Sequence, residues 1–270
     1  EFTGDPDFGS ITFTSQVLDG KGLTGATANA RLEAQIDSFT YKNYMYKNLA
    51  MQGQLNKNLF DGKFGIQDEN IDFDFVGAID FTGDVPFFNF NADVRRVDLL
   101  RLNLSKKDFI LSGHLDMEVR DIDLNKIQGE IALRNILVLK DRNKSYVLDS
   151  LTFTAQGTGD RKSLSLRSEL LNGDMNGRFN LSEIPAVLFQ FLDRNYQAFS
   201  DRMGIPKPKN TPDTSYFQFE LDIANTGDWL ELLIPTLGPL ANGRVEGYFN
   251  NINDSLLLEV DLPSILLGDI

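Results

Sequence analysis

The chain has 270 residues, with 26 basic against 39 acidic side chains and a net charge of −13. That balance, with no basic run, argues against nucleic acid and against a surface built to grip anionic headgroups. Zero Cys excludes disulfides, thiolate metal sites and Cys nucleophiles, and the single His, His114, restricts imidazole catalysis to one candidate.

From Phe8 to about Leu181 the dominant signal is period-two alternation. Ile71, Phe73, Phe75, Gly77, Ile79 and Phe81 share one face, with Asp72, Asp74 and Asp80 on the other. Phe88, Phe90, Ala92 and Val94 alternate with polar residues, as do Phe109, Leu111, Leu115, Met117 and Val119; Val147, Leu151 and Phe153, then Leu164 and Leu166, continue the theme. This predicts roughly a dozen antiparallel strands with one apolar and one wet face. Turns are expected at Asp61-Gly62, Gly83-Asp84, Asp141-Arg142-Asn143, Gly159-Asp160 and Asn172-Gly173.

A pattern of apolar–x–Gly–x–apolar runs through these strands. Six copies read as strand interiors, centred on Gly53, Gly77, Gly113, Gly129, Gly177 and Gly247; three, centred on Gly62, Gly83 and Gly173, read as turns. Glycine weakens a strand, so its repeated use implies a bend, a bulge or a close approach to the backbone.

At Ser182 the pattern breaks. Ser182 as N-cap, Pro185 in the first turn, and Ile184, Leu188, Phe191, Leu192, Phe199 and Met203 at helical spacing predict one amphipathic helix over about 182–203. It covers sheet or closes an end; docking on a membrane is disfavoured by a polar face without a Lys/Arg bias. A loop with three prolines follows, then a strand from Tyr216 to Ile223, a short helix at about 228–234 stopped by Pro235, and a final hairpin opened by Asn242-Gly243. The expected division is a β segment over 1–181, helix and Pro-rich loop over 182–215, and continued β structure over 216–270, all within one repeat-like domain.

The acidic clusters Asp116, Glu118, Asp121, Asp123 and Asp68, Glu69, Asp72, Asp74 read as the wet faces of strands, with a weak hard-cation site as the alternative. His114 reads as a solvated strand residue. Asn103-Leu-Ser and Asn143-Lys-Ser match the glycosylation sequon, which matters only in a eukaryotic secretory context. No signal peptide and no run approaching ~20 apolar residues is visible. The chain opens on Glu1-Phe2 and closes on an apolar stretch, so both ends read as cut from a longer protein.

Of the 21 Phe residues, Phe64, Phe73, Phe75, Phe88, Phe90, Phe109, Phe153 and Phe179 fall on the expected apolar faces. A closed β core is one explanation. So many sequential strands with so little helix to cover them suggest another: an open, curved sheet whose apolar face receives a ligand. An acyl chain suits such a groove, since each buried CH₂ contributes roughly 0.8 kcal/mol without directionality. The candidate lining residues are Leu49, Met51, Gly53, Leu55, Phe64, Ile71, Phe73, Phe75, Gly77, Ile79, Phe88, Phe90, Phe109, Leu111, Gly113, Leu115, Ile131, Phe153 and Phe179.

The stretch Phe39 to Leu104 resembles the TamB/AsmA-like family of the bacterial envelope, in the form found in Bacteroidota. The residues that carry the resemblance are Tyr44-Met-Tyr46-Lys-Asn-Leu49-Ala-Met51-Gln-Gly53, the expected hairpin Leu59-Phe-Asp-Gly62-Lys-Phe64, Asp68-Glu-Asn70-Ile71 through Gly77, and Phe88-Asn-Phe90 through Asp98-Leu99. The short helix before Pro235 and Val245-Glu-Gly247-Tyr-Phe249 are similar more loosely. These are β patterns, not catalytic signatures.

The resemblance implies a mainly β protein, an elongated antiparallel sheet folded into a taco-like trough. It implies a periplasmic segment, inner-membrane anchored in the full-length protein, that holds or conducts phospholipid acyl chains between the membranes. No enzymatic activity, cofactor or metal is expected. An outer-membrane barrel partner would be reached through regions outside this segment. Two other readings stand beside it: an assembly module for outer-membrane β-barrels acting by strand pairing, and a closed β-sandwich for adhesion or carbohydrate binding.

Overall fold

The protein is described by a computed structural model covering residues 7–22, 24, 27–121, 123, 125–158, 161–202, 214–233 and 238–263. It is mainly β. The strands are β1 (Phe8–Lys21), β2 (Asn29–Tyr41), β3 (Tyr44–Asn56), β4 (Leu59–Gln67), β5 (Ile71–Asp80), β6 (Phe87–Asp98), β7 (Phe109–Arg120), β8 (Gln128–Lys140), β9 (Lys144–Gln156), β10 (Lys162–Ser168), β11 (Leu171–Arg178), β12 (Tyr216–Asn225), β13 (Ala241–Asn250) and β14 (Ser255–Asp261). Helices α1 (Ile184–Asn195) and α2 (Gln197–Arg202) lie between β11 and β12, and α3 (Trp229–Leu233) lies between β12 and β13. The strands form one open sheet in strict sequence order, β1 to β14. A meander of this kind can be joined by tight turns, as between β3 and β4 and between β8 and β9, whereas the β11–β12 connection carries α1 and α2.

The chain divides into two compact units: Glu1–Arg120 with Ile131–Leu151, and Asp121–Glu130 with Thr152–Ile270. In the first unit, Tyr46, Leu49, Ile66, Ile71 and Leu102 form a buried cluster, with Ile36, Phe39, Tyr41, Tyr44, Phe64, Phe73 and Val97 packed around it. Leu102 belongs to no strand, yet its side chain is 0% exposed. The β6–β7 connection that carries it is pinned by Asp98, whose buried carboxylate accepts from the backbone N–H of Arg101 (3.1 Å) and from the guanidinium groups of Arg96 (3.2 Å) and Arg142 (3.0 Å). A buried carboxylate is tolerated only with such partners.

In the second unit, Val187 and Phe191 of α1 pack on Phe179, Phe217 and Phe249, with Leu164, Met175, Leu181, Ile184, Leu188, Leu192 and Phe219 around them. The expected single helix is two. A 3-10 turn at Leu181–Glu183 precedes α1, and the chain leaves the helical region at Tyr196 (φ −138°, ψ 51°). There the Tyr196 N–H closes on the Leu192 carbonyl at 2.7 Å, and the Asn195 amide donates back to the Phe191 carbonyl at 3.0 Å. Local side-chain bonding of this type ends helices. Ser182 is not the N-cap; its hydroxyl accepts from the Asn125 amide at 3.1 Å, and Glu183 occupies the cap position without a side-chain bond. Met203, the Pro-rich loop, Gly159-Asp160 and Pro235 lie outside the described residues.

Two expected turns are strand interior. Asp61 and Gly62 belong to β4, whose hairpin turn with β3 falls at Lys57-Asn58, Lys57 having φ 56°. Asn172 and Gly173 belong to β11, and the turn before it is built by Ser168, whose hydroxyl accepts from the N–H groups of Leu170 (3.3 Å) and Leu171 (3.2 Å). Asn242-Gly243 likewise lies inside β13 and does not open a turn. The Gly83-Asp84 and Asp141–Asn143 connections fall where expected.

The alternation also changes phase where a residue is inserted. In β3, Tyr46 and then Leu49 are buried, with Asn48 between them at φ 54°. In β9, Tyr146 and Leu148 point inward and Val147 is 61% exposed, so Val147 does not share the apolar face assigned to it with Leu151 and Phe153. Two successive exposed residues, Asp149 and Ser150, restore the phase before half-buried Leu151 and Phe153. One extra residue moves every following side chain to the other face.

Candidate functional site

The strand registers of the first unit align the apolar residues into rows that cross β2 to β7. One row reads Ala30, Leu55, Phe60, Ile79, Phe88, Val119. The next reads Leu32, Gly53, Gly62, Gly77, Phe90, Met117, and the third Ala34, Met51, Phe64, Phe75, Ala92, Leu115. The fourth reads Ile36, Leu49, Ile66, Phe73, Val94, Gly113. Every position is apolar or glycine. The rows are possible because each strand alternates in phase with its neighbours, so one face collects all the carbon and the other all the charge.

Within this face three glycines stand side by side, Gly53 opposite Gly62 and Gly62 opposite Gly77. A Cβ at Gly53 would come within 2.6 Å of the Asp61 carbonyl and 2.9 Å of the Phe60 ring, and one at Gly62 within 2.4 Å of the Gln52 carbonyl. At Gly77 the backbone is at φ +147°, and a Cβ would meet the Asn89 carbonyl at 2.3 Å. Of the three causes that sequence leaves open, close backbone approach is the one found here. The Phe60 ring lies over the space beside Gly53 and Gly62. A glycine covered by an aromatic neighbour keeps the row closed at backbone level while the apolar surface continues above it.

Aromatic contacts join the rows. Phe75 and Phe90 have ring centroids 4.7 Å apart, Phe64 and Phe73 5.7 Å, and Phe81 and Phe88 meet edge-on at 5.9 Å. Beside the buried cluster, the Tyr44 hydroxyl donates to Asp68 and accepts from the Asn70 amide at 3.1 Å. Burial, and then the bond to Asp68, push the Tyr44 phenol up to about 12. At the other strand ends, Leu55, Phe60, Ile79 and Phe81 border an open depression of about 570 Å³ together with Lys57 and Asn58.

The wet face is held by arginines. Arg95 bonds Asp72, and also Asp74 at 2.7 Å and Asp93 at 3.3 Å; the bonds to Asp72 and Asp74 hold its guanidinium above the ordinary range. Asp116 pairs with Arg134 at 2.5 Å and lies 3.4 Å from His114 Nε2. In the second unit Arg244 bridges Glu220 and Glu246, each at 2.8 Å. Among the described residues, no group of three or more His, Asp or Glu could hold a metal ion.

The predicted lining residues thus fall into three groups. Leu49, Met51, Gly53, Leu55, Phe64, Phe73, Phe75, Gly77, Ile79, Phe88, Phe90, Gly113 and Leu115 lie in the rows, and Ile71, Val97 and Leu111 add a shorter one beside the buried cluster. Phe109 and Ile131 are half-buried in β7 and β8. Phe153 and Phe179 belong to the second unit, where Phe153 is half-buried in β9 and Phe179 is enclosed beneath α1, so Phe179 lines no open face. Phe60 was missed because its neighbours Asp61-Gly62 imitate a turn. Leu102 was missed because an isolated leucine in a loop carries no periodic signal.

The second unit repeats the arrangement on a smaller scale. Leu164, Met175, Phe219, Gly247 and Leu258 form one row, and Leu166, Gly173, Leu221, Val245 and Val260 the next. The α1 cluster seals the strand ends at Phe217 and Phe249, whereas Leu258 and Val260 on the last strand are 52% and 51% exposed.

No family model matches the chain, and no match emerges among curated proteins or among solved structures.

Proposed function

We propose that the apolar face of the first unit holds or conducts the acyl chains of phospholipids, and that the chain is a periplasmic segment of a TamB/AsmA-like protein lying between inner and outer membranes. The observation that carries this reading is the set of four rows crossing six strands without one polar side chain. Such a face offers an acyl chain contact along its whole width. Because contact of CH₂ with carbon has no preferred direction, the chain can shift from strand to strand without breaking a specific bond. In this reading the sheet is folded as a trough, the headgroup stays in water and the protein performs no bond chemistry.

Mass spectrometry of lipid co-purifying with the chain tests the proposal, paired with the exchange Phe90→Asp, which places a carboxylate in the centre of the face. The expected result is phospholipid on the parent chain and its loss from a variant that keeps the parent's far-ultraviolet circular dichroism. Equal lipid on both, or none on either, rejects it.

A second reading, strand addition to a client β-barrel segment, draws on β14. Leu256, Leu258 and Val260 on one face and Leu257 on the other are all exposed in this strand, the last in the sheet order. Site-specific crosslinks from β14 that recover protein strands and no lipid would favour it.

A further inference from the structure

We infer that the depression at the β3–β4 turn is a phosphate-headed lipid seat, in which one acyl chain lies on Leu55, Phe60, Ile79 and Phe81 while its phosphate meets Lys57. This rests on the acyl-chain reading above and names the place and headgroup chemistry it takes. Four of the six residues that border the depression are apolar, one is an amide, one is a cation and none is acidic. In a chain of net charge −13, that local absence of carboxylates stands out. Two acids adjoin the lining in sequence: Asp61, exposed on the face of β4 opposite to Phe60, and Asp80, whose carboxylate is engaged by the Thr82 hydroxyl (2.6 Å) and N–H (2.7 Å), which hold it below the usual carboxylate range.

The seat is also pre-shaped. Lys57 donates its backbone N–H to the Ala28 carbonyl at 2.5 Å, and the Asn58 carbonyl accepts from the Phe81 N–H at 3.0 Å, tying the β3–β4 turn to both neighbouring connections. Phe81 is 54% exposed even though its ring touches Phe88 edge-on. Among the described residues Lys57 has no ion-pair partner, so its ammonium is available to a ligand.

At the opposite strand ends the same face is closed by Leu102 and the buried cluster around it. An amphiphile can therefore keep its head in water at the Lys57 side and not at the Leu102 side. A single cation suits one headgroup rather than a bilayer surface, in keeping with the acidic composition.

Binding of two lipids that differ only by the phosphate, monopalmitoyl lysophosphatidate and monopalmitoylglycerol, tests the seat when measured on the 270-residue chain by displacement of a fluorescent fatty acid. Lys57→Glu is expected to weaken the lysophosphatidate by about fivefold, the scale of one exposed charge contact, and to leave the glyceride within about twofold. Phe81→Ser is expected to weaken both. Inorganic phosphate alone is expected to displace nothing; displacement by it would make this a free-anion site and overturn the proposal. Equal weakening of both lipids by Lys57→Glu, or no change in either variant, also overturns the seat, while binding to the parent chain would leave the broader acyl-chain reading standing. If the parent chain binds neither lipid, it is that broader reading that fails.

Discussion

At Tyr44 a phenol is set between Asp68 and Asn70 at the edge of the buried cluster, and the local chemistry gives it a measurable signature. Burial disfavours the phenolate, and the hydrogen bond to Asp68 is lost when the phenol ionises. Its value rises from 10.0 to about 12. The folded-state value lies above the unfolded one, so the stabilising contribution is complete below pH 10 and disappears as pH rises through the folded value. Tyr44→Phe should therefore remove an alkaline loss of stability that the parent chain shows. The difference in phenolate absorbance between parent and variant should titrate near pH 12. A difference curve centred on the ordinary tyrosine value would show that the Asp68 contact does not persist in solution. In the sequence Tyr44 shows only as an aromatic two residues before Tyr46, because Asp68 and Asn70 reach it through the register of β3 and β4.

Among the elements, α1 shows what sequence periodicity can and cannot disclose. Its apolar stripe and its start near Pro185 were legible, since Ile184, Leu188, Phe191 and Leu192 follow the helical repeat, and of the two expected roles it takes that of a cover on sheet, with Val187 as a further buried contact. Its end was not, because the break at Tyr196 comes from the Asn195 side chain bonding back to Phe191, a competition that hydrophobic spacing does not register. Ser182 likewise carries the chemistry of an N-cap but is engaged by Asn125. Phe191→Ala should cost about 3–5 kcal/mol in urea unfolding, as a large ring leaves a packed cluster. Ser182→Ala should stay within about 0.5 kcal/mol, because no cap is lost. A cost above about 1 kcal/mol for Ser182→Ala would restore it as the cap.

For the whole molecule, the sequence-ordered sheet pairs each strand with its neighbours in the chain, and this is why the fold class could be read from one chain. Alternation over Ile71–Ile79 or Phe88–Val94 names the inward residues directly, and short turns leave little choice of neighbour. Where the reading failed, one residue had shifted the phase, around Asp149-Ser150, or a strand-interior glycine had looked like a turn, at Gly62, where the backbones of β3 and β4 approach closely, and at Gly173.

The same locality predicts how damage spreads. At Gly77 any side chain must accept φ +147° and a Cβ 2.3 Å from the Asn89 carbonyl, so Gly77→Ala should destabilise by about 2–4 kcal/mol. In a meander each strand is supported mainly by its two neighbours, as in repeat proteins where stability sums over nearest-neighbour interfaces. Hydrogen exchange followed by mass spectrometry should therefore show faster exchange in β4, β5 and β6 of Gly77→Ala, with β12 and β13 exchanging as in the parent. A uniform rise across both units would mean that the sheet opens as one cooperative block, with the sequential topology setting the order of the strands and not the range of their coupling.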